Sequence, residues 1–400
     1  MPKKNEPKKR SKINWSGNAF RETVAAYGFL MPNFIGFAIF TAIPVLVSLY
    51  MAFTYWNIFS KPVWIGLDNF RSLLWFRHDS GHLVANDPFF WQYLYNTVFF
   101  MIGIPLGMAG NLILALMLNQ KIKGVVFFRT IYFLPSVSAG VALLILWKYL
   151  FNSEVGLLNQ FIRNAGSVIY ASKPLALLFT LLCAVVLGLL IIGAIAAVLG
   201  LLLWICEKLK IYWHESLYKT LVVIAGAAVY ILIAMSWNVI FRSIGNFMGT
   251  PPNWLGEVSL AKPSLIFMGI WGGIGGFGMI LYLAALQGVP RSMYEAAEID
   301  GAGGWKKFWS VTWPMISPTT FYNLIMGIIG GFQGGFMMAK IMTGGGPVGS
   351  TTTLEYYLYT TAFENFNMGY ASAISWFIFI VVFILTMITW KIGGQLVNYE

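Results

Sequence analysis

The stretch Glu295-Ala296-Ala297-Glu298-Ile299-Asp300-Gly301 is followed ten to thirteen residues later by Val311-Thr312-Trp313-Pro314. Its residue types suit docking rather than bond-making. They spell a short amphipathic, water-facing helix between two segments apolar enough to cross a bilayer. A helix in such a loop is placed to touch something outside the membrane. Ser292-Met293-Tyr294-Glu295 has the form of a capping box, with the Ser292 hydroxyl covering a free N–H and Glu295 reaching back to the Ser292 N–H. Pro290 ends the preceding segment. Ala296 and Ala297 favour helix without adding bulk, so another protein can approach that face closely. Gly301 and Gly303 flank Ala302 and are expected to stop the helix by allowing positive φ. A second short helix is expected over 305–308, and Pro314 and Pro318 are expected to reset the chain into the next apolar segment.

The elements that carry this loop follow from composition. The 400-residue chain is 58% hydrophobic and 10% charged, where a soluble domain carries about 25% charged residues. That makes it an all-α polytopic membrane protein. Spanning the hydrocarbon takes about 20 apolar residues as a helix. By that ruler about eight transmembrane helices are predicted, over 27–55, 94–118, 125–151, 174–206, 217–241, 264–288, 319–340 and 371–390. Pro32 and Pro44 are expected to bend the first. The run 174–206 is long enough for one tilted helix or a re-entrant pair, and one helix preserves the charge asymmetry described next.

The formal charge of +11 does not mark a nucleic-acid binder, because the basic residues lie between apolar runs and not in one patch. With the N-terminus inside, seventeen of the 26 Lys and Arg fall on the inner side and seven in outer loops, while Lys148 and Lys340 sit near outer helix ends. This obeys the positive-inside rule and predicts cytoplasmic N- and C-termini, a cytoplasmic basic N-terminus over 1–26 and a cytoplasmic loop over 289–318. The Lys-rich start mimics a signal peptide, but the apolar segment after it is too long, so an uncleaved first span is expected. Cys183 and Cys206 lie about 34 Å apart along a helix, beyond disulfide reach, and neither has metal-ligand spacing; no metal site is expected. Trp56, Trp64, Phe70, Trp75, Phe76, Phe89, Phe90 and Trp91 crowd one outer loop, as interfacial anchors or as a surface for an external partner.

The loop pattern resembles the EAA loop of ATP-binding-cassette (ABC) importer permeases: Glu-Ala-Ala, three residues, Gly, nine residues, then Ile-x-Leu-Pro. Val311 stands for the usual Ile and Trp313 for the usual Leu. Leu283-Ala284-Ala285-Leu286-Gln287, Thr343-Gly344-Gly345-Gly346-Pro347, Ser350-Thr351-Thr352, Gly369-Tyr370-Ala371-Ser372-Ala373, Trp64-Ile65-Gly66-Leu67-Asp68-Asn69-Phe70 and Asn96-Thr97 are similar to the carbohydrate-uptake, maltose-transporter-type subgroup. The resemblance implies a six-helix type I importer core, its halves at 27–165 and 249–400, with an inserted two-span hairpin at 166–248. It implies ATPase coupling through Glu295, Ala296, Ala297, Asp300, Gly301, Gly303 and Pro314. The chain lacks a phosphate-binding Gly-x-x-x-x-Gly-Lys-Ser/Thr loop, so no cofactor is expected on it. ATP and magnesium belong to two partner ATP-binding subunits, beside a second permease and an extracytoplasmic solute-binding protein in a prokaryotic cell membrane.

The span after the loop carries Gly327, Gly330, Gly331, Gly334 and Gly335, which serve close helix packing or leave room for a solute. Family members use this helix for sugar contacts, which makes the amides Asn323 and Gln333 the candidates on the substrate path. The expected solute is a sugar, oligosaccharide or related polyol. The alternatives are an ABC permease for a non-sugar solute and an ion-coupled carrier; the latter usually places Asp, Glu or His within spans, whereas the acidic residues here fall in loops or at helix ends.

Overall fold

A computed structural model describes residues 17–79, 82–120, 123–137, 140–208 and 215–393. The basic residues before Gly17, Lys121, Leu209 and Lys210, and the Cys206 side chain, lie outside that description. Four helices are long and apolar enough to cross a membrane, and four bent helix pairs bring the total to as many as eight. Each of the eight expected segments coincides with one of these.

The chain divides into two compact units. The first holds the chain up to Gln92 and residues 357–388. Its opening helix runs as Gly17–Phe37, a π-helical turn Ala38–Ala42, and Ile43–Ala52. The expected bend at Pro44 gives way to that widened turn: the Ile43 N–H reaches back to the Ala38 carbonyl five residues away, which makes room for the pyrrolidine ring that follows. Phe29 and Phe40 stand almost fully exposed here, as lipid-facing side chains do. The aromatic loop folds into small elements of its own. Strand Thr54–Tyr55 pairs antiparallel with Val63–Trp64, and buried Asn69 donates to the carbonyls of Ala52 and Thr54 at 2.9 Å each. Phe53 stacks on Trp64 with centroids 5.6 Å apart, and Phe90 is buried edge-on against Phe377 at 5.0 Å. Part of the aromatic excess is therefore core, while Trp64, Trp75 and Phe89 stay exposed.

The second unit holds residues 93–356 and the chain from Thr389. Its main core brings together Leu112, Ala115 and Leu118 of helix Gly103–Leu118, Met279, Tyr282 and Leu286 of Gly276–Gly288, and Ile316 of Trp313–Gln333. The run 174–206 lies in one continuous helix, Lys173–Lys208. Helix Glu215–Met235 follows, and Trp237–Gly249 then turns away from it by 69°. Two further segments expected as single spans are also broken. Val258–Gly273 and Gly276–Gly288 meet at 47°, and Gly304–Gln333 and Phe336–Thr343 at 46°.

Candidate functional site

The loop helix is Arg291–Ile299, with Pro290 at its N-cap and no side-chain cap. The capping box does not form. Pro290 sits at ψ 134°, so helical geometry begins at Arg291 and Ser292 already lies inside the first turn. The far end is built as the glycine spacing predicts. Gly301 adopts φ +73°, its N–H donates to the Glu298 carbonyl at 3.0 Å, and the Ala302 N–H donates to Ala297 at 2.9 Å. These two bonds make a Schellman stop, which needs a left-handed residue at that point. Gly303 has φ −67° and serves as the N-cap of the next helix, so only one of the two glycines uses the left-handed region.

From Gly304 the chain is helical through to Gln333. The expected short helix and the following span are thus one rod, because Phe308–Thr312 forms a π-helical turn ahead of Pro314. The Trp313 N–H donates to Phe308, the same device that precedes Pro44. Two side-chain bonds tie the loop helix to this rod. The Tyr294 and Thr312 hydroxyls lie 2.9 Å apart, and Lys307 Nζ meets Glu298 Oε1 at 2.8 Å. Val311 and Thr312 are buried at the joint. The outward surface carries apolar groups among charged ones: Ile299 is 87% and Trp305 76% exposed, with Met293 and Ala296 also exposed. Glu295 and Asp300 are exposed beside them.

The second feature is a cavity of about 350 Å³ within the larger unit, lined by Gly103, Gly107, Asn111, Gly269, Tyr282, Asn323 and Gly327 among others. Asn323 is part of this lining, and its buried side-chain nitrogen has no hydrogen-bond partner. Gln333 does not line this cavity; it is exposed at the last residue of its helix, before the Gly334-Gly335 break. The glycines also divide. A Cβ on Gly327 would sit 2.6 Å from Ile104 and one on Gly331 2.9 Å from Met101, so these two serve close packing, whereas Gly330 has nothing within 4 Å.

One residue of the cavity escaped the sequence reading. Asn111 Oδ1 accepts from the Gly275 N–H at 2.8 Å, and its Nδ2 donates to the Gly273 carbonyl at 3.1 Å. These are the backbone groups released where the helix breaks, at Gly275 with φ +107°. A broken helix in an apolar medium survives only if such groups are satisfied. The signal lay in an amide inside an apolar run and in Gly272-Gly273-Ile274-Gly275-Gly276.

The second break is held from a loop. The Phe336 N–H donates to Glu355 Oε2 at 2.9 Å. Burial pushes the Glu355 carboxyl above the usual carboxylate range, and that hydrogen bond partly opposes it. Nearby, Asn96 donates to the Gly349 and Thr352 carbonyls at 2.9 Å each, and the Thr97 hydroxyl accepts from the Leu354 N–H. The Asn96-Thr97 pair and the Gly-Pro-Ser-Thr-Thr run, far apart in sequence, are thus one hydrogen-bonded structure.

Broken spans around a largely apolar gap that holds the amides of Asn111 and Asn323, with a clamped helix projecting between two of them, suit a membrane transport subunit. Residues 103–392 match the family described as binding-protein-dependent transport system inner membrane component. The chain is 29% identical to the probable ABC transporter permease protein YesP of Bacillus subtilis (strain 168), over 95% of this chain and 94% of that protein. It is 32% identical to the lactose transport system permease protein LacF of Rhizobium radiobacter, over 77% of this chain and 78% of that one. Its fold resembles a chain of the bacterial alginate ABC transporter crystallised with an alginate pentasaccharide-bound periplasmic protein. There the TM-score is 0.64 at 18% identity, covering 96% of this chain and 99% of that one. The chain belongs to the binding-protein-dependent transport system inner membrane component family.

Proposed function

We propose that this permease subunit imports a sugar, oligosaccharide or related polyol, and that the helix Arg291–Ile299 couples it to ATPase subunits. The observation that carries the coupling is the exposed amphipathic helix held by two side-chain bonds to a continuous rod. A push on Ile299 and Ala296 is transmitted through Tyr294–Thr312 and Glu298–Lys307 to helix Gly304–Gln333, on which Asn323 faces the cavity. Pro314, which the π-helical turn accommodates, keeps that rod continuous.

In this reading ATP and magnesium act on two separate ATP-binding subunits, and this chain does no hydrolysis. A second permease completes the path, and an external binding protein delivers the solute. The loop and both termini face the cytoplasm, as the distribution of Lys and Arg favours. Coupling requires that the loop's contacts differ between the two states of the transporter. The sugar reading draws on the lactose and alginate relatives and on the chemistry of the cavity, whose polar groups include the uncharged amides Asn111 and Asn323.

The test uses the whole transporter in proteoliposomes. A cysteine at Ala297 crosslinks to an ATPase subunit, and Gly301→Val lowers ATP-driven uptake at least about tenfold, since a β-branched residue at φ +73° costs about 1–3 kcal/mol of strain at the coupling joint. Gly303→Ala, at φ −67° with open space around it, leaves uptake unchanged. Labelling of that cysteine only from the extracellular side, or full uptake by Gly301→Val, would sink the assignment.

A further inference from the structure

Helices Leu157–Tyr170 and Trp237–Gly249, which flank the two long helices of the inserted region, enclose a groove of about 540 Å³. Their approach is set by two glycines. A Cβ on Gly166 would lie 2.8 Å from the Met248 Cβ, and one on Gly245 3.2 Å from the Tyr170 ring. The groove wall carries a guanidinium from each helix, Arg163 and Arg242, with Ser167, Asn246 and Tyr170 between them, and no carboxylate. Arg163 uses one nitrogen on the Glu154 carbonyl at 2.9 Å. Arg242 has no carboxylate within ion-pair distance among the described residues. The Tyr170 hydroxyl is buried without a hydrogen-bond partner. Outside the groove the same helices expose Phe161, Val168 and Val239.

Two guanidiniums on one groove wall, with no carboxylate among its lining residues, leave a positive charge that suits an anion. Guanidinium matches the oxygens of a phosphate in a bidentate fork. Amphipathic helices with exposed aliphatic and aromatic flanks lie in the membrane interface, where headgroup phosphates are the abundant anions and acyl chains cover the apolar flanks. We propose that this groove binds the headgroup phosphate of an anionic phospholipid, with Arg163 and Arg242 on its oxygens. The inserted helices thereby anchor the permease to anionic lipid, a role independent of which solute crosses.

The experiment is lipid retention by the intact purified transporter, read by native mass spectrometry after exchange into phosphatidylglycerol or phosphatidylcholine nanodiscs. Phosphatidylglycerol is retained in preference to phosphatidylcholine, and Arg242→Gln lowers that retention about tenfold or more, the loss expected for charge-assisted hydrogen bonds. Among the described residues Arg242 makes no hydrogen bond or ion pair, so its variant tests the site without testing folding. Arg163→Lys with Arg242→Lys keeps the charge but not the fork and retains an intermediate amount. Equal retention of the two lipids, or unchanged retention in Arg242→Gln, overturns the proposal. Displacement of phosphatidylglycerol by millimolar inorganic phosphate shows instead a site for a soluble anion and overturns the lipid assignment.

Discussion

The loop helix and the cavity are built by opposite means. Every bond that shapes the loop spans fewer than twenty residues: Gly301 to Glu298, Ala302 to Ala297, Lys307 to Glu298, Tyr294 to Thr312. The cavity is assembled from side chains at 103–111, 265–282 and 323–338, and its broken helix is satisfied by an amide about 160 residues away in the chain. A locally built device can be moved as a piece. A cavity closed by distant contacts changes shape when any one of its helices shifts.

The sharpest way to break that contrast is Asn111→Leu. It deletes the cavity's remote prop and leaves the Gly275 N–H and Gly273 carbonyl without their partner. Each orphaned buried group costs about 1–3 kcal/mol, so the variant loses roughly 2–6 kcal/mol. A fall in the thermal unfolding midpoint in detergent measures this, while crosslinking from the loop helix persists. An unchanged midpoint would mean that the break needs no prop.

The same contrast explains what the sequence made legible. The Schellman stop at Gly301 was readable because its partners are neighbours. The capping box misled for a local reason, since Pro290 supplies the extended residue before the helix and leaves Ser292 inside it. Pro44 and Pro314 suggested bends. One π-helical turn ahead of each absorbs the missing donor instead, and neither turn has a marker in residue type. Asn323 lines the cavity. Gln333, in the same span and of similar chemistry, does not, because the helix ends at Gly334. Asn111 and the glycines at 272–276 carried a signal that a count of apolar residues erases. A segment scored only for hydrophobicity looks unbroken even where its backbone turns.

Two glycines three residues apart, Gly327 on the cavity wall and Gly330 off it, sharpen the comparison. Gly327→Ala places a methyl carbon 2.6 Å from Ile104 Cγ2, an overpacking worth about 1–3 kcal/mol. Gly330→Ala meets open space, with nothing within 4 Å, and stays within about 0.5 kcal/mol of the parent. Unfolding midpoints of the two single variants separate these outcomes. If Gly330→Ala were the more harmful, the assignment of packing to Gly327 and room to Gly330 would be reversed.

The smallest effect falls on the loop. The Lys307–Glu298 pair is 2.8 Å long, but its side chains are 24% and 61% exposed. Solvent screening holds such a pair to about 0–1 kcal/mol, so Lys307→Met barely moves global stability. Its consequence lies in transmission instead. With that bond gone, Tyr294–Thr312 is the remaining side-chain hydrogen bond among the described residues between the loop helix and the rod. Uptake per ATP hydrolysed should therefore fall before the unfolding midpoint does. Measuring both on one preparation, beside Glu298→Gln and the double variant, separates a structural pair from a transmitting one: a transmitting pair loses coupling in each single variant and no further in the double.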